Sequence, residues 1–219
     1  MPISAYFQAA GLIVLAAVSL FASAGTAAIA GFWVYLAIFA AVIVAAFIFL
    51  DPGLLRERMR PAGRRPPLGL RLSTLVLVAD WIVAGLDRGR FHWSDSVPPW
   101  LQAVALAVFA GGYGLCLWAM AVNPFFSSVV RIQDDRGQHV VTAGPYSVVR
   151  HPGYSCGILI VLASGVALGS WIAAALMAIS GLPFLLYRAI AEDRVLRDQL
   201  PGYREYADRV RRRLVPGVW

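Results

Sequence analysis

The sequence predicts an all-α, polytopic helical membrane protein, and three observations carry that expectation. Apolar residues make up 59% of the 219-residue chain and charged residues only 14%, where a soluble domain of this size carries nearer a quarter charged. The apolar residues fall in runs that are long enough, or nearly so, to cross a hydrocarbon core of about 30 Å at about 1.5 Å per residue. The positive charge is all arginine and gathers in short stretches between those runs. Little chain is left for a separate soluble domain. The sequence pI near 10.0 would suit nucleic-acid binding, but membrane topology explains arginines placed between spans, so no nucleic-acid partner is expected.

The first run extends from Tyr6 to Ala24. The first twenty residues hold no Lys or Arg, so the charged start of a signal peptide is missing and the run is expected to remain as a span. Small residues from Ser23 to Gly31 turn the chain into a second run, Phe32 to Leu50, which Asp51-Pro52-Gly53 stops. The third, Leu72 to Leu86, is short and contains Asp80. The fourth, Trp100 to Val122, is closed by Asn123-Pro124. Tyr154 to Tyr187 is too long for one unkinked crossing, and Gly169-Ser170 is the expected hairpin turn. Six spans result, or five where one half of the hairpin inserts only partly. Residues 1–122 form an N-terminal set of about four spans, and residues 123–219 a region of polar loop, hairpin and tail.

Arginine placement orients the chain. With six spans and the N-terminus inside, 17 of the 19 arginines face the cytoplasm, and only Arg88 and Arg90 fall outside, as the positive-inside rule expects. Both termini are therefore expected to be cytoplasmic. Trp33, Trp81, Trp93, Trp100, Trp118 and Trp171 fall mostly near span ends, where interfacial anchoring is the default. Pro61 to Pro67 is read as a solvated linker. Cys116 and Cys156 lack CxxC spacing and sit in apolar surroundings, so free thiols are expected, with no disulfide and no metal. Asp80 costs about 2.5–3.5 kcal/mol at mid-span and is expected to meet a structural partner.

The polar loop Gly144-Pro145-Tyr146-Ser147-Val148-Val149-Arg150-His151-Pro152-Gly153-Tyr154 lies on the cytoplasmic side of this arrangement. Pro152 suits a first helical position, which places His151 at the helix mouth and is expected to leave the amides of Gly153, Tyr154 and Ser155 as an anion seat. Arg188 and Glu192, at i and i+4, share a helix face and are expected to pair. Beyond them Leu196 to Tyr206 reads as an amphipathic segment broken at Pro201-Gly202, with Leu200, Tyr203 and Tyr206 placed to cover the cytoplasmic mouth like a lid. Arg209 and Arg211 to Arg213 suit attachment to anionic lipid.

Several of these blocks resemble the isoprenylcysteine carboxyl methyltransferase family, which is related to phospholipid N-methyltransferases and, more distantly, to sterol reductases that use NADPH. The blocks are Val141-Thr142-Ala143-Gly144-Pro145-Tyr146, then Arg150-His151-Pro152-Gly153-Tyr154 with Gly157. They continue with Arg188, Glu192-Asp193, Gly202-Tyr203 with Tyr206, and Arg213 to Trp219. The resemblance covers about residues 123–219.

It implies an S-adenosyl-L-methionine-dependent methyltransferase, yielding S-adenosyl-L-homocysteine, with a cytoplasmic active site. Its C-terminal cytosolic helix would lie over the cofactor pocket. His139, Val140, Val141 and Tyr146 would line that pocket, and His151, Pro152, Gly153 and Tyr154 would hold the cofactor. Gln133 or Arg131 would add a polar contact. Glu192 would reach the cofactor from the last helix, and Arg188 would hold the carboxylate of a lipophilic, prenylated acceptor, so Arg188 and Glu192 stand as the catalytic pair. The family often has paired glutamates where this chain has Glu192-Asp193, which weakens any role for Asp193. Three alternatives stay open: a methyltransferase of phospholipids or other small lipophiles, an NADPH-dependent isoprenoid or sterol reductase, and an inert membrane scaffold.

Overall fold

A computed structural model of the chain describes residues 3–59 and 68–217, so the expected linker from Pro61 to Pro67 lies outside the described residues. Eight α-helices occur among the described residues: α1 (Ile3–Ala24), α2 (Ala30–Phe49), α3 (Pro52–Met59), α4 (Leu68–Leu86), α5 (Pro99–Val122), α6 (Pro152–Ala167), α7 (Trp171–Gln199) and α8 (Tyr203–Arg209). The protein is all-α. Helices α1, α2, α5 and α7 are long and apolar enough to cross a membrane. Helix α6 is apolar but has only 16 residues.

The helix ends follow the breakers in the sequence. Gly25 takes a positive φ of 71° after α1. Asp51 Oδ1 accepts from the Leu54 amide at 2.9 Å, an N-terminal cap that starts α3 at Pro52 directly after α2 has stopped. Between α6 and α7 the chain reverses through Gly169, whose φ is 78°, and the Ser170 hydroxyl accepts from the Ala173 amide at 3.1 Å. The hairpin turn is where Gly169-Ser170 placed it. A Cβ at Gly165 would fall on the backbone of Ala174, so only glycine lets the two helices approach this closely.

Helices α5, α6 and α7 lie against one another in chain order, α1 packs on α4, and α4 reaches α7. One apolar core joins α1, α2, α4, α5 and the hairpin through Leu20, Phe32, Phe39, Trp81, Phe109 and Leu168. Asp80 is fully buried there. The Ser164 hydroxyl donates to its Oδ2 at 2.8 Å, and the hydroxyls of Tyr35 and Ser164 lie 3.0 Å apart. Trp81 Nε1 donates to Tyr35 at 3.3 Å.

Trp81 is thus no interfacial anchor: α4 starts at Leu68 and runs on through a π-turn, Asp87–Phe91, which carries residue 81 into the middle of the rod. Trp33, Trp93, Trp100, Trp118 and Trp171 are exposed. Arg88 and Arg90 serve that π-turn locally. Arg88 pairs with Asp95 at 2.8 Å, and Arg90 Nε donates to the Ser23 carbonyl at 2.6 Å, capping the end of α1.

Helix α7 departs most from the expectation. It runs past the end of the apolar run at Tyr187, through Arg188 and Glu192, and on to Gln199 without a break at Leu196, so its 29 residues reach about 43 Å, well beyond a hydrocarbon core of about 30 Å. Both arms of the hairpin share the Gly169 end. The last dozen residues of α7 therefore overhang α6, and the site is built on that overhang.

Candidate active site

Three parts of the chain meet at the overhang. Asn123-Pro124 ends α5, and the chain from residue 123 to 151 loops beneath it without long regular structure. The loop returns to His151, the residue before α6. Helix α7 stands opposite, and α8 with the segment after it folds back against both.

That closing segment is fixed by backbone. The amides of Arg150 and His151 donate to the carbonyls of Arg212 and Arg213 at 2.9 and 3.0 Å. Ser155 Oγ donates to the Leu214 carbonyl at 2.6 Å. Tyr206 Oη donates to the Tyr146 carbonyl, also at 2.6 Å. Leu200, Tyr203, Tyr206 and Ala207 are buried as one cluster. Gly202, at φ 78°, makes the bend at which Pro201 separates α7 from α8.

Asp193 is the hub beneath this strap. It is 2% exposed. Its Oδ1 accepts from Arg150 Nε at 2.9 Å and from Tyr203 Oη at 3.0 Å, and lies 3.1 Å from His151 Nε2. Its Oδ2 accepts from Arg197 Nε at 3.1 Å and from Arg213 Nε at 3.2 Å. Burial works against this carboxylate, but the hydrogen bonds from His151 and Arg150 outweigh it and hold its pKa well below the usual carboxylate range. Arg150 is equally committed, with Nη1 donating to the Val210 and Arg211 carbonyls at 2.8 Å. Arg150 and His151 therefore point inward rather than snorkelling to headgroups.

Two local expectations need correction. Tyr154 and Ser155 both donate their amides to the His151 carbonyl, at 3.0 and 3.2 Å. The mouth of α6 thus offers at most the Gly153 amide, not three. Arg188 and Glu192 do not pair directly either. Tyr154 Oη stands between them, donating to Glu192 Oε2 at 2.7 Å and accepting from Arg188 Nε at 3.3 Å. Arg188 Nη2 also donates to the Ser128 carbonyl at 2.9 Å.

These groups enclose a cavity of about 240 Å³. Every site residue named from the sequence lines it: Gln133, His139, Val140, Val141, Tyr146, His151, Pro152, Gly153, Tyr154, Arg188 and Glu192. Arg131 lines it too, but its guanidinium is taken by Glu57 at 3.1 Å and Asp135 at 2.7 Å. Gln133 is buried, donating to the Phe125 carbonyl and accepting from Arg136, both at 2.6 Å. His139 sets its ring edge-on against Phe125 at 5.0 Å. Glu192 is 31% exposed, and its Oε1 lies 3.9 Å from His151 Nδ1, so the loop before α6 and the last long helix share one chamber.

Sequence reasoning named Asp193 beside Glu192 but gave it no role, because most of its partners lie far off in the chain, at Arg150 and His151 before it and at Tyr203 and Arg213 after it. It missed Arg58 of α3, which reaches the cavity with its guanidinium 4.9 Å from the Phe126 ring. Burial lowers the pKa of Arg58. In the sequence Arg58 is one of many loop arginines and carries no signal of its own.

Residues 100–201 match the phospholipid methyltransferase family, so a methyltransferase-like domain of that type covers part of the chain, including α5, the loop, the hairpin and Glu192. Two curated proteins are similar over a wider stretch. The cobalt-zinc-cadmium resistance protein CzcN of Cupriavidus metallidurans is 29% identical over 145 residues, 64% of this chain and 61% of its own length. The nickel-cobalt-cadmium resistance protein NccN of Alcaligenes xylosoxydans xylosoxydans is 28% identical over 141 residues, 64% of this chain and 62% of its own. The chain thus spans about three fifths of the length of these relatives.

Proposed function

We propose that this protein is a membrane-embedded, S-adenosylmethionine-dependent methyltransferase whose acceptor is a phospholipid or another small lipophile. One observation carries the reading. The cavity that gathers His151, Tyr154, Arg188 and Glu192 is lined mostly by the stretch that matches the phospholipid methyltransferase family, with Arg58, Tyr203 and Tyr206 added from outside it. That match supports a phospholipid-type acceptor better than the prenylated carboxylate that the sequence blocks suggest.

The residues suit the donor. S-adenosylmethionine supplies, when bound, a methyl group on a sulfonium cation. Glu192 presents a partly exposed carboxylate that makes no direct ion pair with an arginine among the described residues, which suits a cationic group. The segment 139–142 takes part in no backbone-to-backbone hydrogen bond among the described residues, and its part from His139 to Val141 lines the cavity. These peptide groups can meet the edge of a flat heterocycle between Phe125 and Leu200. His151 is held by the Asp193 hub and keeps the wall of the chamber in place. Tyr203 and Tyr206 of α8 line it as well, and α8 serves as its cytosolic cover.

In the reaction, an acceptor nitrogen or oxygen forms a bond to the methyl carbon as the carbon–sulfur bond breaks, leaving the electron pair on sulfur. An amine acceptor must first lose a proton, and Glu192 is the carboxylate placed to take it. A carboxylate acceptor is already ionised near pH 7 and needs no base. Arg188 in the cavity favours this second reading, carboxyl O-methylation of a lipophilic acceptor such as a prenylated cysteine.

Alignment of the reacting atoms at about 3–3.5 Å is the main task left to the protein. Both readings place the cavity at the cytoplasmic face of six crossings. The names of the two relatives speak of metal resistance. Among the described residues no group of three or more His, Cys, Asp and Glu is arranged to hold a metal ion, and no step above calls for one.

The test is transfer of radiolabelled methyl from S-adenosylmethionine to phosphatidylethanolamine, to prenylcysteine and to a total lipid extract, with product identification. Label in phosphatidylethanolamine or an extracted lipophile is expected. Calorimetry that shows binding of NADPH but not of S-adenosylhomocysteine would overturn the reading in favour of a reductase.

A further inference from the structure

Among the described residues the arginines that line the cavity outnumber its acids, Glu192 being the one carboxylate in the lining. Arg150 is matched by Asp193, and Arg131 by Glu57 and Asp135. Arg58 and Arg188 remain. Glu57 is next to Arg58 in sequence but turns to Arg131 and accepts from Ser127 Oγ at 3.2 Å. None of the described residues accepts a hydrogen bond from the Arg58 guanidinium or forms an ion pair with it. It rests on the Phe126 ring at 4.9 Å, half-buried, and lines the same chamber as Arg188. A guanidinium stays charged in a protein, and one so placed wants an anion.

Ser128 holds the two arginines in register. Its hydroxyl donates to the Arg58 carbonyl at 3.0 Å, and its own carbonyl accepts from Arg188 Nη2 at 2.9 Å. Arg188 lies 5.8 Å from the Phe184 ring, so each cation is carried on an aromatic face. Arg58 comes from α3 and Arg188 from α7, so the two cations reach the cavity from separate helices. A planar carboxylate is satisfied by one guanidinium in a bidentate pair. The non-bridging oxygens of a tetrahedral phosphodiester diverge and suit two donors that converge from separate elements.

We infer that Arg58 and Arg188 form a two-arginine subsite for the phosphodiester of the lipid acceptor, with Arg58 a specificity-determining residue. The inference rests on the proposed reading for the acceptor's place beside the donor. The phosphodiester sits between the two cations and shields the headgroup amine from them, so that Arg188 is compatible with an ammonium headgroup. The amine is then directed toward Glu192, across the Tyr154 hydroxyl.

The experiment measures binding rather than turnover, on the full chain in detergent. The probes are short-chain phosphatidylethanolamine, short-chain diacylglycerol, a prenylcysteine carboxylate and S-adenosylhomocysteine. Arg58→Gln is expected to weaken phosphatidylethanolamine binding at least about tenfold, the scale of removing one partner from a desolvated charge pair. Diacylglycerol and S-adenosylhomocysteine affinities stay within about twofold, and Arg58→Lys recovers part of the loss. Unchanged phosphatidylethanolamine binding in Arg58→Gln would overturn the subsite. So would equal loss of diacylglycerol, which marks a structural role, or a larger loss for the prenylcysteine carboxylate than for the phospholipid. Failure of S-adenosylhomocysteine to bind the unmodified protein would instead remove the methyltransferase reading and leave the lipid comparison standing.

Discussion

Glu192 and Asp193 are adjacent carboxylates on one helix, and a turn of about 100° separates their environments. Asp193 faces inward to two buried groups, Arg150 and His151, and to Arg197, Tyr203 and Arg213. Glu192 faces the chamber, and among the described residues only the Tyr154 hydroxyl donates to it. The shorter acid is therefore the structural one, and the unneutralised one is left for a ligand. Removing the charge of Asp193 strands a buried guanidinium, a defect of about 3–5 kcal/mol. Asp193→Asn should accordingly lower thermal stability in detergent by that amount, while Glu192→Gln leaves it nearly unchanged and abolishes S-adenosylhomocysteine binding. The Asp193 effect carries a pH signature. Because its folded pKa is depressed, the stabilisation is complete above the unfolded value near 3.9 and is lost as pH falls through the lower folded value. The stability gap between wild type and Asp193→Asn should be constant from pH 7 to 5 and close below about pH 4. A gap that already shrinks between pH 7 and 6 would show that Asp193 is not held as the geometry indicates.

At the scale of elements, the hairpin of α6 and α7 decides where everything else sits. Its turn was legible because Gly169 and Ser170 are a breaker and a cap in the right order. Its close crossing was not, since Gly165 is one small residue among many and only the facing backbone of Ala174 gives it meaning. Gly165→Ala should destabilise the protein by about 1–3 kcal/mol or more through overpacking. Gly114→Ala on α5 should be silent or slightly stabilising, because nothing lies within 4 Å of its Cβ position. Equal melting temperatures for the two variants would remove the crossing as a constraint. Other departures share this cause. Asp51-Pro52-Gly53 reads as a stop, yet the same Asp-Pro pair caps and starts α3, and so brings Arg58 to the cavity. The run around Leu196 reads as a new segment, yet α7 continues through it, helped by the Asp193–Arg197 pair at i and i+4. The Gly-, Pro- and His-rich loop before α6 could be singled out from composition. Its hub could not, because Arg150 and Asp193 meet across 43 residues of chain.

At the scale of the whole molecule, unequal helix lengths set the position of the cavity. Helix α6 spans about 24 Å at 1.5 Å per residue and α7 about 43 Å, and they share one end at Gly169. The mouth of α6 therefore lies about 6 Å short of a 30 Å hydrocarbon boundary, while α7 passes beyond it and carries Arg188 and Glu192 along the gap. In the proposed reading a lipid headgroup drawn slightly inward from the surface would meet the chamber at this depth without leaving the bilayer, and α8 would close the side toward the cytosol. This arrangement requires the α1–α2 connection and α8 to face opposite sides of the membrane, as they do with the four long apolar helices crossing and equally with six, where α4 and α6 cross as well despite Arg71 and Asp80 in the one and the short length of the other. The fully buried Ser164–Asp80 contact supports such a crossing, since it satisfies one oxygen of the carboxylate inside the bundle. With Cys116 and Cys156 replaced by Ser, single cysteines at the exposed positions Ala27 and Glu205 provide the measurement. In intact cells a membrane-impermeant maleimide should label Ala27→Cys and spare Glu205→Cys, which reacts only once the membrane is opened. Labelling of both from the same side would leave an odd number of crossings, and would place the chamber away from the face on which a cytosolic methyl donor is supplied.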